Sequence, residues 1–371
     1  MVIGVLKEIK PNEYRVAAIP ATVKEIVAHG HTVYVQSGAG VGSGYSDEDY
    51  EAAGAIVADK DTVWEKSQLY YKVKEFFPEE FKWIQEDKII FTYIHSNAHP
   101  AETDVLLDSK CTAIAYEDIP DKNGKFPLLR PMSEIAGKGG FIAALNFMQT
   151  IHGGPGKLLC NVAGVPSPIV TCLGCGNIGT AIAELASSWG LDVRILDINI
   201  DVMLEAKKHL PNVQFMFSNR ENLERCLKET DVLFNGTQWA KERTDHIVYR
   251  EDVRLMKKGS MIVDVACDDH GAIETTESTT HTDPIYFEEG IMHYCVDNIP
   301  SAFAQTASVT LANATLPMLL AIADKGVKKA IEDDQYLRAG LTCWGGYLTL
   351  KETALKQNRP WTDANELIKT W

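Results

Sequence analysis

The chain has 371 residues, of which 45% are hydrophobic and 23% are charged, a composition typical of soluble globular proteins. This length allows roughly two domains, each with its own core. The formal net charge of −15 disfavours nucleic acid and anionic membranes, which both reward basic surfaces. We therefore expect a globular protein with neither a nucleic-acid nor a membrane partner.

The N-terminal segment and the cysteines bear on the compartment. The sequence is charged from Lys7 onward and lacks the apolar core and small-residue cleavage site of a signal peptide. No stretch approaches the ~20 unbroken apolar residues of a membrane span. The eight cysteines are scattered along the chain and need not form disulfides. We expect a cytoplasmic protein.

The first third of the sequence alternates strands and helices. A strand (VIGVL), a helix (PATVKEIVAHG) and a strand (HTVYVQ) open the chain, and the runs LYYKVKE, KIIFTYIH and TAIAYEDI predict further strands. The glycine-rich SGAGVGSGYSD leads into an acidic segment, which favours a surface loop over a phosphate site. A long helix rich in small residues, SEIAGKGGFIAALNFMQTI, follows.

A second α/β unit begins near Pro168. Strand PIVTCLG, a glycine turn, helix GTAIAELASSWG and strand DVRILD open it, and VQFMF, DVLFNG, SMIVDVAC and MHYCVD predict its other strands. The tail from SVTLANATLPMLLAIADKG onward is predicted to be mostly helical.

The stretch VTCLGCGNIGT contains a glycine motif in a specific setting. Gly174, Gly176 and Gly179 form GxGxxG between an apolar strand and a helix, and Asp197 ends the next strand. Gly174 would make the tight turn, Gly176 would let a pyrophosphate approach the backbone, and Gly179 would let the helix pack on the strand. The helix N-terminus offers N–H groups to phosphates. This pattern predicts a dinucleotide site.

Two further features of this region bear on its ligand. Asp197 can accept hydrogen bonds from ribose hydroxyls and would repel a 2′-phosphate, and no arginine directly follows it, so NAD is favoured over NADP.

Cys172 and Cys175 in the same stretch also form a CxxC sequence. No second ligand pair has zinc spacing and the setting is not that of a redox motif, so we interpret them as small buried thiols and expect no metal site.

The order of these elements predicts the domain organisation. Elements of the first domain lie at both ends of the chain, so the nucleotide domain would be an insertion. We predict an α/β fold with two Rossmann-like, doubly wound domains. Residues 1–128 and 307–371 would form the discontinuous substrate domain, and residues 129–306 the NAD-binding domain.

A nicotinamide enzyme for a small acid needs a cation for the carboxylate and a titratable group near the reacting carbon. Arg15 follows the first strand, His95 ends KIIFTYIH and Asp268 directly follows SMIVDVAC, and strand ends carry function in doubly wound folds. Lys74 is another candidate, although Lys72 would point to the same face of a strand. Surface charge, structural hydrogen bonding and turn capping are the ordinary alternatives for these residues.

Several segments together resemble a known family. In order and spacing, GVLKEIKPNEYRVAAIP, YYKVKEF, FTYIH, PLLRPMSEIAGK, LGCGNIG and YCVDNIP are similar to the alanine dehydrogenase and pyridine-nucleotide transhydrogenase family, over nearly the whole chain. The length looks like that of alanine dehydrogenases. The resemblance implies reversible NAD-dependent oxidative deamination of a small L-amino acid, L-alanine to pyruvate and ammonia. It also implies a homo-oligomer, a hexamer or a dimer.

The resemblance also implies roles for the candidate residues. Arg15 and Lys74 would bind the substrate carboxylate, for which an arginine offers a bidentate fork. His95 would be the acid/base, since a histidine can take and give a proton near neutrality. Asp268 would assist with water or the imine, and Lys72 has no such role. The implied cofactor contacts are Ser133, Asp197 and Asn298.

Some segments depart from alanine dehydrogenases and leave alternatives open. The segment NGTQWAKERTDHIVYRED gives a polar lining around Trp239. The sequence from DHIVYRED through HYCVDNIPS is similar to N5-(carboxyethyl)ornithine synthases, and its VDNIP element is also similar to saccharopine dehydrogenases. Such opine-type enzymes reduce an imine between a 2-oxo acid and ornithine or lysine. A non-catalytic nicotinamide-binding module is a third alternative, but it would not need Arg15, Lys74 and His95 together. Domain-joining hydrogen bonds are the expected role of Glu117 and Glu134.

Overall fold

The computed structural model describes residues 1–239, 243–267 and 269–370. The chain divides into two compact units. Residues Met1–Met132 and Phe303–Trp371 form the first unit, and Ser133–Ala302 form the second. Each unit is built around one sheet.

The strands and helices alternate along most of the chain. The strands are β1 (Val2–Val5), β2 (Thr32–Gln36), β3 (Ile56–Ala58), β4 (Leu69–Tyr71), β5 (Ile89–Thr92), β6 (Thr112–Ala115), β7 (Ile169–Leu173), β8 (Asp192–Asp197), β9 (Val213–Phe217), β10 (Val232–Asn235), β11 (Met261–Asp264), β12 (Ile285–Glu288), β13 (Ile291–Tyr294), β14 (Leu341–Trp344) and β15 (Tyr347–Leu348). The helices are α1 (Pro20–Ala28), α2 (Asp47–Ala52), α3 (Lys60–Lys66), α4 (Pro100–Asp108), α5 (Arg130–Phe147), α6 (Asn177–Ser188), α7 (Ile200–Lys207), α8 (Arg220–Glu229), α9 (Arg250–Val253), α10 (Ala304–Lys325), α11 (Val327–Asp333), α12 (Gln335–Ala339), α13 (Lys351–Gln357) and α14 (Ala364–Leu367).

The sheet of the first unit has the strand order β15-β14-β6-β5-β4-β1-β2-β3. Strands β1 to β6 pair in parallel, whereas β14 is antiparallel to both β6 and β15. Every residue of β4, β5 and β6 is buried, as in parallel strands covered on both faces. The carboxyl ends of β1, β4, β5 and β6 therefore lie side by side at one edge of this sheet.

The sheet of the second unit has the strand order β12-β13-β11-β10-β7-β8-β9. All its pairings are parallel except that of β12 with β13. The central strand β7 leads through the glycine turn into α6, which buries Gly179, Ala181, Ile182, Ala183 and Ala186. Small side chains on this face let the helix pack closely. The carboxyl ends of β7, β8 and β10 are neighbours at one edge.

The predicted α/β class with two Rossmann-like sheets is confirmed, with corrections to individual elements. Strand β4 ends at Tyr71, so Lys72 and Lys74 follow the strand and do not lie within it. The described part of the tail is mostly helical, as predicted, but β14 and β15 also form a hairpin there, and the first strand of this hairpin extends the sheet beside β6. The signal for this hairpin is Gly345–Gly346, both with positive φ, a dipeptide that favours tight hairpin turns.

One helical segment in the described part of the chain, Ile299–Lys325, could cross a membrane by length and composition alone. It is an exception to the expectation that no stretch approaches such a span. The core helix of a soluble protein shares this length and composition. The helix α10 within it buries Ala307, Leu311 and Leu319, among others, and Ser308 accepts the backbone N–H of Val16 at 2.9 Å.

Candidate functional site

Charged side chains follow neighbouring strands of the first unit's sheet. Arg15 lies in the loop after β1, Lys74 follows β4, His95 follows β5 and Glu117 follows β6. These strands are adjacent and parallel, so their carboxyl ends meet at one edge. The electrostatic interactions of Lys74 with Arg15, and of His95 with Lys74 and Glu117, place them in one cluster. The structure thus brings together the predicted Arg15, Lys74 and His95.

Arg15 is a buried cation held by an acidic neighbour. Its Nε and Nη2 donate to the two carboxylate oxygens of Glu13 at 2.7 and 2.6 Å, a bidentate pairing. The opposite edge of the guanidinium contacts Met132, with Nη1 3.3 Å from the sulfur. Burial opposes the charge, but Glu13 outweighs it and raises the pKa of Arg15. The position therefore carries a fixed positive charge.

The two lysines after β4 have different environments. Lys72 is fully buried, and its Nζ donates to Glu80 at 2.7 Å and lies 3.5 Å from Glu8. Lys74 is 9% exposed, with Nζ 3.6 Å from a carboxylate oxygen of Glu75. Burial lowers the pKa of Lys74, and Glu75 opposes this effect. Lys72 is thus committed to a core ion-pair network, while Lys74 belongs to the cluster with Arg15.

His95 occupies a turn immediately beyond β5. Its backbone is in the left-handed region, with φ 50°, which is uncommon for a residue other than glycine. Its ring stacks on Tyr93 with centroids 5.8 Å apart, and the Tyr93 hydroxyl donates to the Leu128 carbonyl at 2.7 Å. Burial by the surrounding protein lowers the pKa of His95, while Glu117, 3.6 Å from Nδ1, opposes the shift. The neutral imidazole is favoured.

The second unit carries the glycine turn. Gly174 has φ +90°, and a Cβ at Gly179 would lie 2.0 Å from the Gly174 carbonyl oxygen, so both positions require glycine. A Cβ at Gly176 would meet no atom within 4 Å. The chain itself therefore does not require glycine at Gly176, and the open space beside it is where a pyrophosphate would lie against the N-terminus of α6. The turn fits a dinucleotide.

Asp197 connects the end of β8 to this turn. Its Oδ2 accepts the backbone N–H of Cys175 at 2.6 Å and its Oδ1 accepts that of Asn199 at 2.7 Å. The Asp197 carboxylate therefore stabilises the glycine turn.

The two cysteines of the CxxC sequence have thiols with raised pKa values. Burial raises the pKa of the Cys172 thiol, and burial together with the Asp197 charge raises the pKa of the Cys175 thiol to about 11. Such thiols are poor nucleophiles and poor redox groups.

Two other residues predicted to contact the cofactor lie elsewhere in the second unit. Ser133 is half-buried in the first turn of α5, and Asn298 is 7% exposed, its carbonyl accepting the backbone N–H of Ser301 at 3.1 Å. Asp268 lies outside the described residues. The acidic residue that ends β11 is Asp264, which is fully buried and accepts Nδ2 of Asn235 at 2.8 Å.

The loop around Trp239 is described on both sides of residues 240–242, which lie outside the described residues. The Trp239 indole donates to the Asp245 carbonyl at 2.8 Å. The Arg243 guanidinium lies 3.9 Å from the centre of that ring and also pairs with the Asp245 carboxylate. These contacts hold the described part of the loop together.

The sequence-based candidates omitted residues that the structure places at the cluster. Glu13 holds Arg15, Glu75 pairs with Lys74 and with Lys10 at 3.2 Å, and Glu117 accepts the backbone N–H of His95. The contacts described for Glu117, for which a domain-joining role was predicted, lie within the first unit. Its position after β6, beside the strand that carries His95, is the signal that could have identified it.

Glu134, also predicted to join domains, pairs with Lys138 one helical turn away on α5 at 2.8 Å. Lys138 in turn lies 3.1 Å from Glu184 of α6. These described contacts stay within the second unit.

Comparison with known proteins identifies the class. The family model for the N-terminal domain of alanine dehydrogenase/PNT matches residues 4–136, and that for the C-terminal domain matches residues 140–351. The chain therefore belongs to the alanine dehydrogenase/pyridine-nucleotide transhydrogenase family, which confirms the predicted resemblance. Membership in this family implies a pyridine nucleotide cofactor.

Individual relatives are similar over their full length. The alanine dehydrogenase of Halomonas elongata is 40% identical over 371 residues, which cover 99% of this chain and 100% of that protein. The alanine dehydrogenase of Bacillus subtilis is 41% identical over 357 residues, covering 95% of this chain and 94% of that protein. A solved structure of L-alanine dehydrogenase matches with a TM-score of 0.92 at 38% identity, covering 96% of this chain and 99% of that one.

Proposed function

We propose that this protein is an NAD-dependent amino-acid dehydrogenase that catalyses the reversible oxidative deamination of L-alanine to pyruvate and ammonia. The observation that carries the proposal is the clustering of Arg15, Lys74 and His95 at one sheet edge. The relatives that match this chain over its full length are alanine dehydrogenases, which favours this function over the opine-type alternative.

The first unit would bind the amino acid or 2-oxo acid. Arg15 keeps its Nε edge on Glu13, so the edge that contacts the Met132 sulfur would receive the substrate carboxylate. A thioether is a weak acceptor, and a carboxylate displaces it readily. Lys74 would bind the other side of the same carboxylate. The two cations suit a monocarboxylate because Glu13 and Glu75 already offset part of their charge.

His95 would move the proton. In deamination the lowered pKa leaves the imidazole neutral, so it can accept a proton from the water that attacks the imine carbon. In the reverse direction the same ring returns the proton. The Tyr93 ring and Glu117 hold the imidazole in place. Asp268 would assist with the water or the imine.

The second unit would bind NAD, which when bound supplies the acceptor for the hydride that leaves the substrate Cα. Gly174 and Gly179 shape the turn, and Gly176 leaves the space that the pyrophosphate needs. Asp197 would accept hydrogen bonds from the adenosine ribose and repel a 2′-phosphate. Ser133 and Asn298 would complete the contacts.

The proposal extends to the setting in which the enzyme works. We expect a cytoplasmic homo-oligomer, a hexamer or a dimer, with small-molecule substrates and without nucleic-acid or membrane partners. We propose residues 1–128 with 307–371 as the substrate domain and residues 129–306 as the NAD-binding domain, with boundaries that lie close to the limits of the two compact units.

The test separates binding from chemistry at one residue. His95→Ala should abolish NADH oxidation with pyruvate and ammonium while leaving NADH binding, measured by fluorescence titration, within about two-fold of wild type, because His95 lies in the first unit. His152→Ala, an exposed histidine of the second unit, is the control. Turnover that survives in His95→Ala would show that His95 is structural.

A further inference from the structure

The turn that carries His95 is bound to a helix from the other end of the chain. The side chains of Ser96 and Asn97 contact Thr353 of α13 at 2.7 and 2.6 Å. The Asn97 amide also donates to Glu352 at 2.6 Å, and Gln357 donates to the Ser96 carbonyl at 2.6 Å. The residues directly after His95 are therefore tied to a helix about 260 residues away.

The direction of these hydrogen bonds follows from the donors available. The carboxylate of Glu352 only accepts, so it faces the NH₂ of Asn97, and the Asn97 oxygen faces Thr353. The Thr353 hydroxyl has one hydrogen and gives it to that oxygen, so the Ser96 hydroxyl must donate to Thr353. The Thr353 hydroxyl thus accepts a hydrogen bond from Ser96 and donates one to Asn97. A methyl group in place of this hydroxyl could neither accept nor donate a hydrogen bond.

This anchor lies where the backbone needs support. His95 has φ 50° and ψ 40°, and a residue other than glycine keeps such a conformation only when its surroundings impose it. On one side, Glu117 accepts the backbone N–H groups of Ile94 and His95. On the other side, Thr353 is fully buried and Ser96 is 3% exposed, so water cannot easily replace their hydrogen bond.

We propose that Thr353 is a positioning residue for His95, holding the Ser96–Asn97 turn so that the imidazole keeps the orientation its proton transfer requires. The proposal rests on the proposed function, since it takes His95 as the acid/base. Substrate binding depends on residues that other contacts hold in place. Arg15 is held by Glu13. The Lys74 side chain pairs with Glu75, and the Lys74 backbone N–H donates to the Glu8 carboxylate. Loss of the anchor should therefore affect the chemical step and not substrate binding.

The experiment compares three variants of the full-length protein. Thr353→Val replaces the hydroxyl by a methyl group of similar size, and Thr353→Ser restores the hydroxyl. Thr349→Val is the matched control, because Thr349 lies in the same tail, is 8% exposed and donates to the Leu341 carbonyl at 2.6 Å. The readouts are the single-turnover rate of NADH oxidation at saturating pyruvate and ammonium, and the KM for pyruvate.

Thr353→Val should lower the single-turnover rate roughly ten- to hundred-fold, the effect of a small misplacement of a catalytic group, with the KM within about two-fold of wild type. Thr353→Ser and Thr349→Val should keep the wild-type rate. A wild-type rate in Thr353→Val, or an equal loss in Thr349→Val, would overturn the positioning role. If His95→Ala itself keeps wild-type turnover, the proposed function of His95 fails and the positioning role fails with it.

Discussion

The carboxylate of Glu117 accepts the backbone N–H of His95 at 2.5 Å and also lies 3.6 Å from the ring nitrogen Nδ1 of that residue. One acidic side chain therefore supports the strained backbone of His95 and sets the electrostatic environment of its ring. The relationship arises because β5 and β6 are parallel neighbours, so the residues that follow them emerge at the same edge.

Glu117→Gln separates these two effects, because glutamine keeps an acceptor for the backbone and loses the charge. Burial lowers the pKa of His95 and the Glu117 carboxylate raises it, so removal of the charge should lower the pKa further. The acid limb of kcat/KM for alanine should then move to lower pH, roughly one unit for a partly exposed neighbouring charge. The pH profile measures this, with exposed Glu86→Gln as control. A shift to higher pH would contradict the account.

The raised pKa of Glu8 should make the stability of the fold depend on pH. Glu8 is buried beside Lys72, whose Nζ lies nearer to Glu80. Burial outweighs Lys72 and raises the pKa of Glu8 from about 4.5 to about 7. In that window the folded protein retains a proton that the unfolded chain releases, so stability is greatest below pH ~4.5 and falls as the pH rises towards ~7.

Glu8→Gln should remove this contribution, because glutamine does not ionise and can still accept the Val73 N–H, which Glu8 accepts at 2.7 Å. The melting temperature of the variant relative to wild type should therefore increase between pH 5 and pH 7.5. Scanning fluorimetry across this range measures it, with Glu65→Gln on the exposed face of α3 as control. Parallel curves for wild type and Glu8→Gln would rule out the raised pKa.

Asp197 should determine the choice between NAD and NADP. Asp197→Asn keeps an oxygen for the Cys175 N–H but removes the charge that repels a 2′-phosphate. The ratio of kcat/KM for NAD to that for NADP should fall roughly ten-fold or more, since one charged contact is worth about 1.5–3 kcal/mol. Exposed Asp201→Asn in the first turn of α7 should leave the ratio unchanged. An unaltered ratio in Asp197→Asn would show that the Asp197 charge does not select NAD over NADP.

Two glycines of the turn should respond differently to alanine. At Gly179 a Cβ would lie 2.0 Å from the Gly174 carbonyl oxygen, and backbone cannot yield easily, so Gly179→Ala should cost about 1–3 kcal/mol of stability or more. At Gly176 the space is open, so Gly176→Ala should fold normally and bind NADH at least ten-fold more weakly. Thermal unfolding and fluorescence titration separate the effects. Unchanged NADH affinity in Gly176→Ala would place the pyrophosphate elsewhere.

Local patterns predicted the fold and the glycine turn well. The GxGxxG spacing, the apolar strand before it and the acidic end of the next strand are all contained in about 30 residues, so one stretch of sequence carries the whole signal. The class of each sheet followed from the alternation of strands and helices.

Contacts between distant segments could not be predicted in this way. Glu117 contacts His95 because β6 lies beside β5, and strand order is not written in either segment. The difference between Lys72 and Lys74 depends on Glu80 and on the end of β4 at Tyr71. Thr353 contacts Ser96 across more than 250 residues. Each of these depends on the folded neighbourhood and not on spacing.

The amine that the enzyme accepts distinguishes an alanine dehydrogenase from an opine-type enzyme. Purified protein should be given NADH and pyruvate with ammonium, ornithine or lysine in turn, with NADPH in place of NADH as the cofactor control. We expect NADH oxidation with ammonium and little with either diamino acid or with NADPH. Oxidation that requires ornithine or lysine would contradict this expectation and identify an opine-type enzyme.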